Sequence, residues 1–230
     1  ATHLPMVVYV HGGPYGVRDD WDYDPVVQAL ATRGYAVLQV NYRGSGGYGY
    51  TFEHAGWREW GGKMQDDVTD ATRWAIAQGI ADPLRICIFG ASYGGYAALE
   101  GAVKEPDLYQ CAIGYVGVYD LPLMYRRGDI PQSTYGESYL KRVLGTDMKT
   151  LAGRSPINQL DRLRAKVMLA VGGQDERVPP IQGRHLHDAL LTRHIAHVWI
   201  DKPGEMHSFY DEKDVAGLYA QIAQFLGASI

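Results

Sequence analysis

The sequence has almost no cysteine: two in 230 residues, Cys87 and Cys111. That excludes a disulfide framework as the source of the fold. Both lie in apolar strand-like runs and are expected as small buried residues. No apolar stretch approaches ~20 residues, so no segment reads as a membrane-spanning helix. There is no long basic run and the net charge is −4. Nucleic acid and anionic membrane are therefore not expected as main partners. No internal repeat, linker or low-complexity tract is present, so residues 1–230 read as one domain. Metal-ligand spacing is missing too. His185 and His187 are two apart and point to different faces of a helix, a poor metal pair. No metal and no cofactor are expected. No secretory leader is legible, and the chain opens on Ala1 rather than Met, as a processed or excised chain would. The compartment, cytoplasmic or periplasmic, stays open.

What is present is apolar and glycine-rich. Hydrophobic residues make up 46% of the chain, enough for a sizeable core. Short apolar runs at Met6–Val10, Tyr35–Val40, Ile86–Phe89, Cys111–Val116, Ala165–Val171 and His197–Ile200 predict strands buried on both faces. Between them, helices are expected from Asp24-Pro25 to Arg33, Lys63–Gln78, Gly94–Lys104, Pro180–Leu191 and Asp214–Leu226. Asn41 to about Gly62 reads as a long loop. Residues 117–156 lack a steady period and read as an insertion over the sheet's carboxyl edge. Strands alternating with helices mean an α/β fold, a mostly parallel sheet with helices on both faces. Sites in such sheets lie at the carboxyl ends of the strands.

The most informative stretch is Gly90-Ala91-Ser92-Tyr93-Gly94, between the strand Ile86–Phe89 and the next helix. The chain must reverse there within a few residues, and glycines flank Ser92 where side chains would collide. The G-x-S-x-G spacing lifts the Ser92 hydroxyl to the tip of a strained turn at a helix N-terminus. The alternative is a plain glycine-rich turn. A serine nucleophile needs a base. Of eight histidines, His207 is the best candidate, in the loop after the last strand. Asp175, after the strand Val167–Val171, would orient the imidazole. It could instead cap a helix or pair with Arg177. The order Ser92, Asp175, His207 is that of α/β-hydrolases. Oxyanion donors are expected from the N–H of Tyr93 and from Gly13, with Gly12 beside it, after the first strand.

These pieces resemble the prolyl oligopeptidase family of serine peptidases, in its acylaminoacyl-peptidase and dipeptidyl-peptidase-IV branch. The matching residues are His11-Gly12-Gly13-Pro14, Asn41 to Gly49, Gly90 to Tyr96, Gly173 to Pro179 and His207. The resemblance implies an α/β-hydrolase fold and cleavage of short peptides. It implies that Arg177 binds a substrate carbonyl, although an ion pair with Asp or Glu is equally open. It places Tyr93, Val116, Leu121, Met124, Tyr125 and Val178 around a primary specificity pocket, each also readable as ordinary core. His11 lies where the dipeptidyl-peptidase-IV branch has an oxyanion tyrosine, which favours the Gly13 N–H as donor. The family also carries a β-propeller and two more strands before Met6. Lacking the first two strands, Tyr35–Val40 would be an apolar sheet edge. A missing N-terminal domain or a homo-oligomer is expected to cover it.

Four competing readings are open. Gly44-Ser45-Gly46-Gly47-Tyr48-Gly49 fits a dinucleotide fingerprint, but no helix is expected to open there. Asp66, Asp67 and Asp70 suit the first turns of a helix better than a metal. A carboxylesterase would use the same triad on acyl esters, and a dead hydrolase fold would serve as a binding module.

Overall fold

A computed structural model describes residues 2–230. Six parallel strands form one sheet in the order β2-β1-β3-β4-β5-β6. They are β1 (Leu4–Val10), β2 (Ala36–Gln39), β3 (Ala81–Ala91), β4 (Cys111–Tyr115), β5 (Lys166–Gly172) and β6 (His197–Lys202). The helices are α1 (Pro25–Ala31), α2 (Tyr50–His54), α3 (Lys63–Ala77), α4 (Tyr93–Lys104), α5 (Thr134–Val143), α6 (Met148–Gly153), α7 (Ile181–Thr192) and α8 (Glu212–Gly227). This is the α/β-hydrolase architecture.

Side-chain alternation divides the core into two layers. Met6, Val8, Val10, Ile86 and Ile88 face α3, α4 and α7. Val7, Cys87, Phe89, Ile113 and Met168 face α1 and α8. Every central strand is apolar on both sides, the reason for its continuous hydrophobic run. β2 lies at the end of the sheet with β1 as its only neighbour, and its four residues are half-buried. The expected edge position of this strand is thus observed.

Three expectations are corrected. Cys87 and Cys111 are not separate thiols: they are register partners on β3 and β4, and the structure joins them as a disulfide. Strand register, invisible in the sequence, sets them side by side. A short helix, α2, does open directly after Gly49. The glycines before it are used against residues 16–18: a Cβ on Gly46 would meet the Gly16 carbonyl at 2.5 Å, and one on Gly47 the Arg18 guanidinium at 2.5 Å. Asp66 and Asp67 lie in the early turns of α3, where they also form ion pairs with Lys104 and Arg43 respectively. Residues 117–156, expected to lack a steady period, contain α5 and α6.

α4 carries a buried carboxyl, Glu100, bonded only through Gln159 Nε2 at 2.9 and 3.1 Å. Burial pushes its pKa from 4.5 up to about 7. A carboxyl held high favours the fold while protonated. That contribution is complete below about pH 4.5 and lost as pH rises through about 7. Urea unfolding at pH 5 and pH 8 should therefore show Glu100→Gln gaining stability relative to wild type at the higher pH, by up to about 3 kcal/mol. An equal difference at both pH values would contradict the assignment.

Candidate active site

Ser92 caps the gap between β3 and α4 with φ 58° and ψ −119°, a left-handed conformation that a side-chain-bearing residue adopts only under constraint. The constraint is the closeness of the flanking backbone. A Cβ on Gly94 would lie 2.0 Å from the Val10 carbonyl oxygen, and one on Gly90 would lie 2.6 Å from the same atom. No other residue fits at these two positions, so the turn is sharp and the serine projects from it. The Tyr93 N–H, in the first turn of α4, has no intrahelical acceptor.

Two further loops converge on the hydroxyl. His207 Nε2 lies 3.0 Å from Ser92 Oγ, and His207 Nδ1 lies 2.7 Å from Asp175 Oδ2. A carboxylate oxygen only accepts, so Nδ1–H donates to Asp175 and Nε2 is left to accept from the serine. The Asp175 side chain is 1% exposed and that of His207 33%: the acid is dry while the imidazole faces the cleft. Asp175 Oδ1 accepts the Val178 N–H at 2.8 Å, which fixes the carboxyl plane.

The histidine loop is anchored by residues that sequence reasoning missed. Buried Glu205 accepts the N–H groups of Tyr210 (2.6 Å) and Asp211 (3.0 Å). Its own carbonyl accepts the Gln174 N–H at 2.8 Å, joining this loop to the acid loop. The Phe209 N–H donates to Tyr115 Oη at 2.6 Å. Gly172 lets the two loops touch, since a Cβ there would meet the Met206 carbonyl at 2.1 Å. The sequence did hold a signal: an acid two residues before a candidate histidine, in a segment too short to hydrogen-bond itself.

On the other side, Gly12 packs on the elbow, where a Cβ would lie 3.5 Å from Ser92 Cβ. Gly13 has φ 112° and lines the cleft with Ser92 and Tyr93. This loop is held by buried His11, whose Nδ1 lies 2.8 Å from the Gly12 carbonyl and whose Nε2 lies 2.9 Å from Ser45 Oγ. The Tyr42 hydroxyl donates to the His11 carbonyl at 2.8 Å. Burial lowers the His11 pKa below its ordinary 6.5, which keeps the ring neutral. The stretch 41–49 thus supports the donor loop from behind.

The cleft above Ser92 has a volume of about 970 Å³. Much of its wall is apolar, formed by Trp60, Tyr93, Val118, Met124, Ile130, Tyr139, Leu140, Val143, Leu144 and Val178, while Asp129, Ser133, Glu176 and Arg177 line it as well. Of the residues assigned to a specificity pocket, Tyr93, Met124 and Val178 line it. Val116 and Leu121 do not. They are buried in the two core layers, Val116 just after β4 and Leu121 within residues 117–156. Tyr125 also turns away, donating its hydroxyl to the Gly145 carbonyl. Arg177 lines the cleft, but Asp129 Oδ2 accepts from its Nε at 3.0 Å and lies 2.9 Å from its Nη2.

The prolyl oligopeptidase family matches residues 21–230. The chain belongs to that family. It is 37% identical over 210 residues to dipeptidyl aminopeptidase BIII of Pseudoxanthomonas mexicana, covering 90% of this chain and 30% of that protein. It is 34% identical to dipeptidyl peptidase family member 6 of Caenorhabditis elegans, covering 98% of this chain and 31% of the relative. The structure of a puromycin-hydrolyzing peptidase from Mycobacterium tuberculosis superposes with TM-score 0.90 at 31% identity, covering 100% of this chain and 34% of that one. Acylaminoacyl peptidase from Pyrococcus horikoshii shares the fold, with TM-score 0.91 at 24% identity, covering 100% and 38% of the two chains. The chain spans about a third of the length of these relatives.

Gly172→Ala should separate the acid loop from the histidine loop without touching Ser92. Labelling of Ser92 by a fluorophosphonate is expected to slow on the order of a hundredfold. Unchanged labelling, with the fold intact by circular dichroism, would refute the role given to this contact.

Proposed function

We propose that this chain is the catalytic domain of a serine peptidase that cleaves short peptides by two-step acyl transfer. The observation that carries the reading is the hydrogen-bonded series Ser92 Oγ to His207 Nε2 (3.0 Å) and His207 Nδ1 to Asp175 Oδ2 (2.7 Å), at the floor of an open apolar cleft. Its relatives' names, dipeptidyl aminopeptidase and puromycin-hydrolyzing peptidase, support amide cleavage near a peptide's amino terminus.

His207 takes the proton from Ser92 as the oxygen attacks the substrate carbonyl. The developing oxyanion is held by the N–H groups of Tyr93 and Gly13, and the start of α4 adds its partial positive charge. Asp175 keeps the imidazole in the right tautomer and stabilises its protonated form. Collapse of the adduct breaks the C–N bond, and His207 gives its proton to the leaving amine. Water then enters, deprotonated by the same ring, and releases the acid. The apolar walls favour an apolar or aromatic side chain beside the scissile bond, with Met124, Val178 and Tyr93 among its contacts. Because the neutral His11 ring lies behind the donor loop, backbone dipoles, not a cation, stabilise the oxyanion.

The same machinery cleaves activated esters with less assistance. Comparing blocked aminoacyl anilides with short acyl nitrophenyl esters distinguishes the two substrate classes. A peptidase is expected to turn over anilides carrying an apolar residue at the scissile bond. Activity on esters alone would replace this reading with an esterase. Ser92→Ala should lower turnover on the order of 10⁴-fold or more and abolish fluorophosphonate labelling. Retained turnover would remove Ser92 as nucleophile.

A further inference from the structure

The acid loop, residues 175–178, is held from both sides. On one side it is hydrogen-bonded to the histidine loop through Gln174 and Glu205. On the other it meets the insertion, where its hydrogen bonds run through Asp129 and a close backbone approach through Gly128. The Asp129 N–H donates to the Glu176 carbonyl at 2.9 Å. Asp129 Oδ2 accepts from Arg177 Nε at 3.0 Å and lies 2.9 Å from Nη2. A Cβ on Gly128 would come within 3.1 Å of the Arg177 carbonyl, and the φ of 95° at this residue is the left-handed region that suits glycine. The residue before this segment is Asp175 itself, and the residue after it, Val178, donates its N–H to Asp175 Oδ1.

Glu176 and Arg177, the two residues between Asp175 and Val178, are thus held by one peptide and one side chain of the insertion. The same insertion supplies much of the substrate wall, including Met124, Tyr139, Leu140 and Val143. Its base is fastened separately: buried Gln182 on α7 accepts the N–H groups of Tyr119 and Asp120 at 2.9 and 2.8 Å. Asp129 is therefore not needed to attach the insertion to the domain. The ion pair is partly exposed, so its electrostatic energy is small. What it supplies is geometry.

We propose that Asp129 is a positioning residue for the triad acid: through the Glu176 peptide and the Arg177 guanidinium it sets where the Asp175 carboxylate sits beneath His207. This rests on the triad reading above. It adds that the wall which receives the substrate also braces the proton-relay side of the site, so a side chain pressing on that wall bears on the alignment of Asp175.

The test is a cycle of Asp129→Ala, Asp175→Asn and the double variant, measured as kcat and KM on a blocked apolar aminoacyl anilide. Asp129→Ala is expected to lower kcat on the order of tenfold to a hundredfold, with KM changed less than about threefold. In the Asp175→Asn background it should cost no further kcat, because it acts only through that carboxylate. Every variant at 129 keeps the backbone N–H to Glu176; Asp129→Asn also restores one acceptor for Arg177, and should recover most of the lost kcat. If Asp129→Ala does not fold, Asp129→Asn and Arg177→Lys carry the same cycle with smaller kcat losses. A raised KM with unchanged kcat would make Asp129 only a wall or Arg177 contact and overturn the proposal. Losses that multiply in the double variant would overturn it as well. If Asp175→Asn itself keeps wild-type kcat, it is the triad reading that fails, and the two failures are told apart.

Discussion

The carbonyl oxygen of Val10 sets the geometry of this site. It points from the end of β1 into the space where β3 turns into α4, and leaves room for neither a Cβ at 90 nor one at 94. That contact forces the reversal into five residues and places Ser92 in a left-handed conformation above the sheet. It also brings the end of β1, and so the donor loop, against the elbow. The proposed nucleophile and its proposed oxyanion donors are thus products of a single close approach between neighbouring backbone segments.

The second half of the site repeats the same solution two strands away. Gly172 and Gly173 end β5 without side chains, and the carbonyls of Pro203, Glu205 and Met206 fill the space. Acid and base are held at hydrogen-bonding distance because two loops touch through their backbones. The side chains then lock what the backbone allows: Glu205 closes the histidine loop, and Val178 fixes the carboxyl of Asp175. The dry carboxylate and the accessible ring follow from this layering.

Much of this was legible in the sequence, for identifiable reasons. The strands read as apolar runs because a doubly covered sheet tolerates nothing else. Ser92, Asp175 and His207 stood out because each follows a strand, and a parallel sheet gathers such positions on one rim. What was not legible depends on register or on tertiary crowding. The pairing of Cys87 with Cys111 needed the alignment of β3 with β4. Helix α5 was hidden because its buried stripe runs Gly136, Leu140, Val143. A Cβ at 136 would collide with the Ile130 carbonyl, so glycine stands where an apolar residue would have marked the period. For Val116 and Leu121 a family resemblance gives neighbourhood and not direction: both side chains are buried in the core.

The rim strand β2 has a mechanical consequence. It has one lateral neighbour, and the chain leaves it directly into Asn41–Ser45, the segment whose Tyr42 and Ser45 hold His11. Any fraying of that strand is therefore passed, through two hydroxyl groups, to the peptide proposed to hold the oxyanion. Stiffness at the least supported border of the sheet becomes a condition for chemistry at its centre.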